Sequence, residues 1–135
     1  MNTQTLQKIV IDALEDVKAQ DIKVFDTVRL TSLFDRVIIT SATSNRQTRA
    51  LASSVAEAAK KHGGQVIATE GEETGEWVLV DLGDIVVHIM QPAIRQYYDL
   101  EEIWGDTPVD VELLPQSTRP VQPVPPLDLR FDSND

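Results

Sequence analysis

The sequence predicts an α/β protein, a mixed β-sheet flanked by helices in the order αββαβββα, with an extended C-terminal tail. Three observations carry this reading. Two segments place apolar residues at helical spacing. The other apolar runs are short, β-branched and bounded by Gly, Asp or Ser, as strands are. Residues 76–90, "EWVLVDLGDIVVHIM", alternate about Gly83 and predict a hairpin. Helices interspersed with a hairpin favour a sheet with both parallel and antiparallel pairs.

The elements follow in order. Leu6, Ile9, Val10, Ala13, Leu14 and Val17 repeat at helical spacing, so residues 3–20 read as an amphipathic helix. "DIKVFDT" and "FDRVIITS" read as two strands. Ser44 followed by Gln47 has the form of a capping box. It opens an Ala-rich helix that runs to about His62 and stops at Gly63-Gly64. "QVIATEG" reads as a third strand, and residues 76–82 and 84–90 as the fourth and fifth. Pro92 starts a last helix, striped by Ile94, Tyr97 or Tyr98, Leu100 and Trp104, and Gly105 ends it.

Composition changes sharply after that helix. Residues 106–135 hold six of the seven prolines and no glycine. Six acids against two bases give them a net charge of −4. "RPVQPVPPLDL" has the composition of polyproline-type chain, so residues 1–105 are expected as one domain and 106–135 as a mobile tail. The competing reading packs Leu113, Leu114, Leu127 and Phe131 along the domain.

Charge narrows the functions. The chain of 135 residues has a net charge of −10 and only 12 Lys and Arg, scattered except for Arg46, Arg49, Lys60 and Lys61. A protein gripping RNA through phosphates needs a basic face, so little direct RNA contact is expected. An acidic chain better suits a basic protein partner. There is no Cys, which fits a reducing cytoplasm. No signal peptide and no membrane-spanning stretch are expected.

Residues 75–90 carry the candidate site. Alternation puts Val78, Val80 and Leu82 on one face with Ile85, Val87 and Ile89, all apolar. It puts Trp77, Leu79 and Asp81 on the other, with Asp84, Val86, His88 and Met90. Large apolar groups mixed with two Asp and a His suit a contact surface. A second covering layer over this face is the competing reading. Catalysis lacks parts: one His and two carboxylates do not complete a metal site. Ser41, Thr43 and Ser44 are the available hydroxyls, with no geometry aiming them at His88. No phosphate-binding glycine motif occurs, and "EGEETGE" would repel phosphate.

"EGEETGEWVLVDLGDIVVHIMQPAIRQYYDLEEIWGD" resembles the core signature of the ribosomal silencing factor family, also called the Iojap family. "AQDIKVFDT" and "FDRVIITSATSNRQTRALA" match its earlier segments, so the resemblance spans residues 3–106 and leaves the tail outside. It implies a nucleotidyltransferase-like fold without that enzyme's site: the turn reads "SATSN" and "DLGD" has the wrong carboxylate spacing. It further implies a cytoplasmic translational repressor and no enzyme. Such a protein binds the large ribosomal subunit through ribosomal protein L14, blocks joining with the small subunit when nutrients are scarce, and forms a homodimer when free. The action is steric and needs no cofactor. With the alternation, the resemblance makes Trp77, Leu79, Leu82 and Met90 the expected apolar anchors. Asp81, Asp84 and His88 would add polar contacts, and Arg95 and Tyr98 would extend the patch. Leu82 would need a bulge near Gly83 to turn outward.

Overall fold

Apolar side chains at a spacing of three and four bury one stripe of a helix, and this stripe seats the N-terminal segment on the sheet. In the computed structural model, which describes residues 1–104, α1 spans Thr3–Asp16 and buries Leu6, Val10, Ala13 and Leu14. Asn2 caps it, its side-chain oxygen accepting from the Thr5 N–H at 2.8 Å. The helix stops four residues short of the expected end, because the chain turns at Lys18 with φ +67 and enters a strand. That strand, β1, is Gln20–Asp26, followed by β2, Arg36–Ser41.

The second helix, α2, spans Asn45–Lys61. The Ser44 hydroxyl accepts from the Gln47 N–H at 3.0 Å. The Gln47 side chain reaches back one residue beyond a standard capping box and accepts from the Thr43 N–H at 2.8 Å. Its amide nitrogen also donates to the carbonyls of Val17 and Lys18, tying the end of α1 to the start of α2.

Three strands follow: β3 (Ala68–Glu70), β4 (Trp77–Asp81) and β5 (Ile85–Met90). The sheet order is β1-β2-β5-β4-β3, with β2 and β5 parallel and the other pairs antiparallel. The expected mixed sheet is therefore present, with β3 shorter than "QVIATEG" suggested. Gly83 sits in the tight β4–β5 turn at φ +93, and the Leu82 N–H donates to the Ile85 carbonyl at 2.9 Å. The Asp81 carboxylate accepts from the Gly83 N–H at 2.9 Å and stiffens the turn. Leu82 stays on the face of Val78 and Val80, so no bulge turns it outward.

The expected last helix is two helices. α3 is Pro92–Tyr98 and α4 is Glu101–Trp104, separated where Asp99 takes the left-handed conformation, φ 48. Tyr97 and Leu100 therefore do not share one helical stripe.

Each face of the sheet has its own apolar layer. On one face, α1 and α2 bury Val78, Val80, Leu82, Ile85, Val87 and Ile89. On the other, Leu30 and Phe34 from the β1–β2 connection and Leu100 and Trp104 after α3 cover Val37, Ile39, Trp77, Leu79, Val86 and Met90. Phe34 and Trp104 meet edge to face at 5.7 Å. The expected boundary at residue 105 and the tail lie outside the described residues.

Candidate interaction site

Cross-strand register settles which side chains share a face. Trp77 pairs with Met90 and Leu79 with His88 across the β4–β5 ladder, and Asp81 pairs with Val86. Facing partners in an antiparallel pair project to the same side, so the mixed face read from the sequence exists. Its expected exposure does not. Trp77 is 1% exposed, and Leu79, His88 and Met90 are buried beside it. The second apolar layer is the reason: it lies over this face as the helices lie over the other.

Two buried polar groups answer each other within this layer. The Trp77 indole N–H donates to His88 Nδ1 at 3.0 Å. A buried indole donor needs an acceptor, and the imidazole two rungs away in the ladder supplies it. That bond holds His88 with Nδ1 as an acceptor, an arrangement suited to joining two strands.

The rest of the expected patch is dispersed. Leu82 lies in the opposite core with α1 and α2. Asp81 and Asp84 sit at the β4–β5 turn, the end of β5 remote from α3. Asp81 braces the turn, and the Asp84 carbonyl accepts from the N–H groups of Asp35 and Arg36. Arg95 is buried, its guanidinium turned inward to Asp21, Ser41 and Glu101. The hydroxyls considered for catalysis are also engaged. Ser41 accepts from Arg95, Thr43 donates to Gln47, and Ser44 caps α2.

Tyr98 alone of the expected apolar and aromatic anchors reaches the surface, at 40% exposure. Its ring packs on Trp77, with centroids 5.1 Å apart. Tyr97, which the sequence reading left outside the site, is 80% exposed and meets Tyr98 edge to face at 4.9 Å. A buried Trp thus supports an edge-to-face pair of accessible tyrosines. The signal for it was the Tyr97-Tyr98 doublet directly before the αL residue that ends α3. Adjacent helical residues point about 100° apart, so the two large rings leave this short helix in different directions. Val28 and Leu33, in the β1–β2 connection that covers the same side of the sheet, are exposed as well.

Beside α3 the β3–β4 loop is held firmly. Arg49 donates to the carbonyls of Glu72 and Glu73, both at 2.7 Å. The Thr48 hydroxyl donates to the Gly75 carbonyl at 2.6 Å, and Gln91 reaches the same carbonyl. Arg49, counted above among the basic residues, is therefore spent on the loop backbone.

Fold and site together define a mixed-sheet α/β protein with an aromatic surface pair, whose candidate hydroxyls and Asp81 carboxylate are engaged in its own hydrogen bonds. The chain belongs to a particular family within that class: the family model described as ribosomal silencing factor during starvation matches residues 1–126. The match runs past residue 106, where the resemblance was expected to end. A ribosomal silencing factor of Chromobacterium violaceum is 53% identical over 105 residues, covering 78% of this chain and 86% of that protein. A crystal structure from the same organism superposes with a TM-score of 0.76 at 53% identity, over 78% of this chain and 88% of that one. A Bacillus halodurans structure gives 0.72 at 31% identity, over 81% of this chain and all of that one. A mouse protein named for mitochondrial assembly of the ribosomal large subunit is 28% identical over 99 residues, 71% of this chain and 43% of its own length.

Proposed function

We propose that this protein is a translational repressor. In this reading it binds the large ribosomal subunit through ribosomal protein L14 and sterically blocks joining with the small subunit, lowering translation when nutrients are scarce. It acts in the cytoplasm, self-associates as a homodimer when free, and needs no cofactor. The observation that supports a contact role is the Tyr97–Tyr98 pair, exposed on a rigid Trp77 support. Tyrosines held this way offer large amphipathic area with little entropy left to lose, which is what interface anchors need. The net charge of −10 suits a basic ribosomal protein better than bare RNA.

A joining assay with purified subunits tests the reading. Added in excess, the protein should lower the yield of joined ribosomes, and a Tyr97→Ala/Tyr98→Ala variant should not. Unchanged joining at saturating occupancy of the large subunit would exclude the steric mechanism. The second reading is a large-subunit assembly factor, favoured by the name of the mouse relative. It requires binding to immature large subunits with no effect on joining of mature ones.

A further inference from the structure

We infer that Arg95 is a positioning residue for the Tyr97–Tyr98 contact surface: a buried guanidinium clamp that fixes α3 against the β1 edge and so sets where Tyr98 stands. The inference rests on the reading of Tyr98 as a contact residue and goes beyond it by naming what holds that residue in place.

The clamp joins three remote parts of the chain. Arg95 is 8% exposed and lies one helical turn before Tyr98 on α3. Its Nη1 donates to the Asp21 carbonyl at 2.9 Å and to the Ser41 hydroxyl at 2.8 Å. Its Nε donates to the Glu101 carboxylate at 2.6 Å, and Nη2 pairs with the same carboxylate. Nη2 also faces the Asp21 carboxylate at 3.5 Å. The fork thus reaches forward to α4, across to the end of β2, and out to the edge strand β1.

Each receiving group is shaped for the purpose. Asp21 takes φ +51, a left-handed conformation uncommon outside Gly, Asn and Asp. It lies at a register shift in the β1–β2 ladder, between Gln20 and Lys23. A bulge of this kind re-aims the backbone, and here the Asp21 carbonyl accepts from Arg95. On the other side, Glu101 opens α4 immediately after the αL break at Asp99. The Asp99 N–H donates to the Arg95 carbonyl at 2.9 Å, so one residue both ends α3 and anchors it.

The chemistry needs arginine. Lysine carries the same charge but presents one ammonium, which cannot span a carboxylate, a hydroxyl and a carbonyl in fixed directions. α3 has only seven residues and no side-chain cap. A helix that short has little stability of its own, so its placement depends on such outside contacts. Without the fork, Tyr98 keeps its ring contact with Trp77 but loses the tie that orients its helix.

A double-mutant cycle on the full chain tests this, with affinity for isolated large ribosomal subunits measured by sedimentation. Arg95→Lys should weaken binding about fivefold or more in the wild-type background, and less than about twofold in a Tyr98→Ala background. Equal losses in both backgrounds would overturn the inference, because Arg95 would then act independently of Tyr98. If Tyr98→Ala alone leaves affinity unchanged, the contact reading itself fails, a result distinct from equal losses. Should Arg95→Lys not fold, Glu101→Gln, which removes a carboxylate charge from the same clamp, gives the same comparison. Thermal unfolding of each variant beside the binding data separates positioning from collapse: a loss of affinity wholly matched by unfolding at the assay temperature would also overturn it.

Discussion

Trp77 and Tyr98 are in ring contact, yet they answer to different free energies. Trp77 belongs to the core that the second layer closes. Its removal takes away a large buried side chain and the donor that His88 Nδ1 accepts from. Trp77→Ala should therefore lower unfolding free energy by about 3–5 kcal/mol, the range for a large aromatic removed from a core. Trp77→Phe, which keeps most of the apolar bulk and loses the N–H, should cost about 1–3 kcal/mol. Urea denaturation measures both. This revises the expectation that Trp77 is a direct contact: a loss of binding on its removal should track loss of the fold. Tyr97 is the converse case. With 80% of its surface exposed and, among the described residues, only Tyr98 as a ring partner, Tyr97→Ala should change stability by no more than about 0.5 kcal/mol. It should still weaken binding to large subunits by about tenfold or more. Equal affinity of the two proteins would remove Tyr97 from the contact surface.

At the scale of elements, the β3–β4 loop decides how α2, β4 and α3 fit together. Gly71 is buried at φ +88, and a Cβ placed there would lie 2.0 Å from the Trp77 carbonyl oxygen. That atom is backbone at the start of β4, where Trp77 pairs with Met90 of β5, and cannot move aside cheaply. Gly71→Ala should therefore cost more than the roughly 1–2 kcal/mol of left-handed backbone strain alone. The expected outcome is a loss of several kcal/mol in denaturant unfolding. A cost near 1 kcal/mol would mean that the loop shifts freely. Local pattern made such elements legible: α2 has its cap and glycine stop, and the β4–β5 hairpin has its alternation about Gly83. The second covering layer was not legible. Leu30 and Phe34 come from a connection without period, and Leu100 and Trp104 follow a helix broken at Asp99. Arg95 is buried, against the expectation of a surface group, because two of its three partners, Asp21 and Ser41, are 74 and 54 residues away in sequence, a separation no local pattern records. Tyr98 is accessible, and Tyr97 beside it is more exposed still, because the break at Asp99 ends the single stripe expected through Ile94, Tyr97 or Tyr98, Leu100 and Trp104.

For the molecule as a whole, the question is how much of the chain the fold requires. All nine elements and both apolar layers described above lie within residues 1–104. Trp104, the last of these residues, is fully buried, so a chain cut before it would open the second layer. Cutting after Gly105 keeps every one of those contacts. A chain ending there should fold cooperatively and keep its affinity for large subunits. The family match complicates the expected boundary, because it continues through residue 126. Residues 127–135 lie beyond it and carry three of the acids counted in the tail. Three chains separate the possibilities: the full protein, one ending at 126 and one ending at 105. All three should give the same melting temperature within about 2–4 °C, the shift that roughly 0.5 kcal/mol produces in a domain of this size. The chain ending at 126 should bind as the full chain does. If the chain ending at 105 folds but fails to bind, residues 106–126 carry a contact that the Tyr97–Tyr98 surface does not replace. If it fails to fold, the second apolar layer needs the segment after Trp104, and the domain boundary belongs near residue 126.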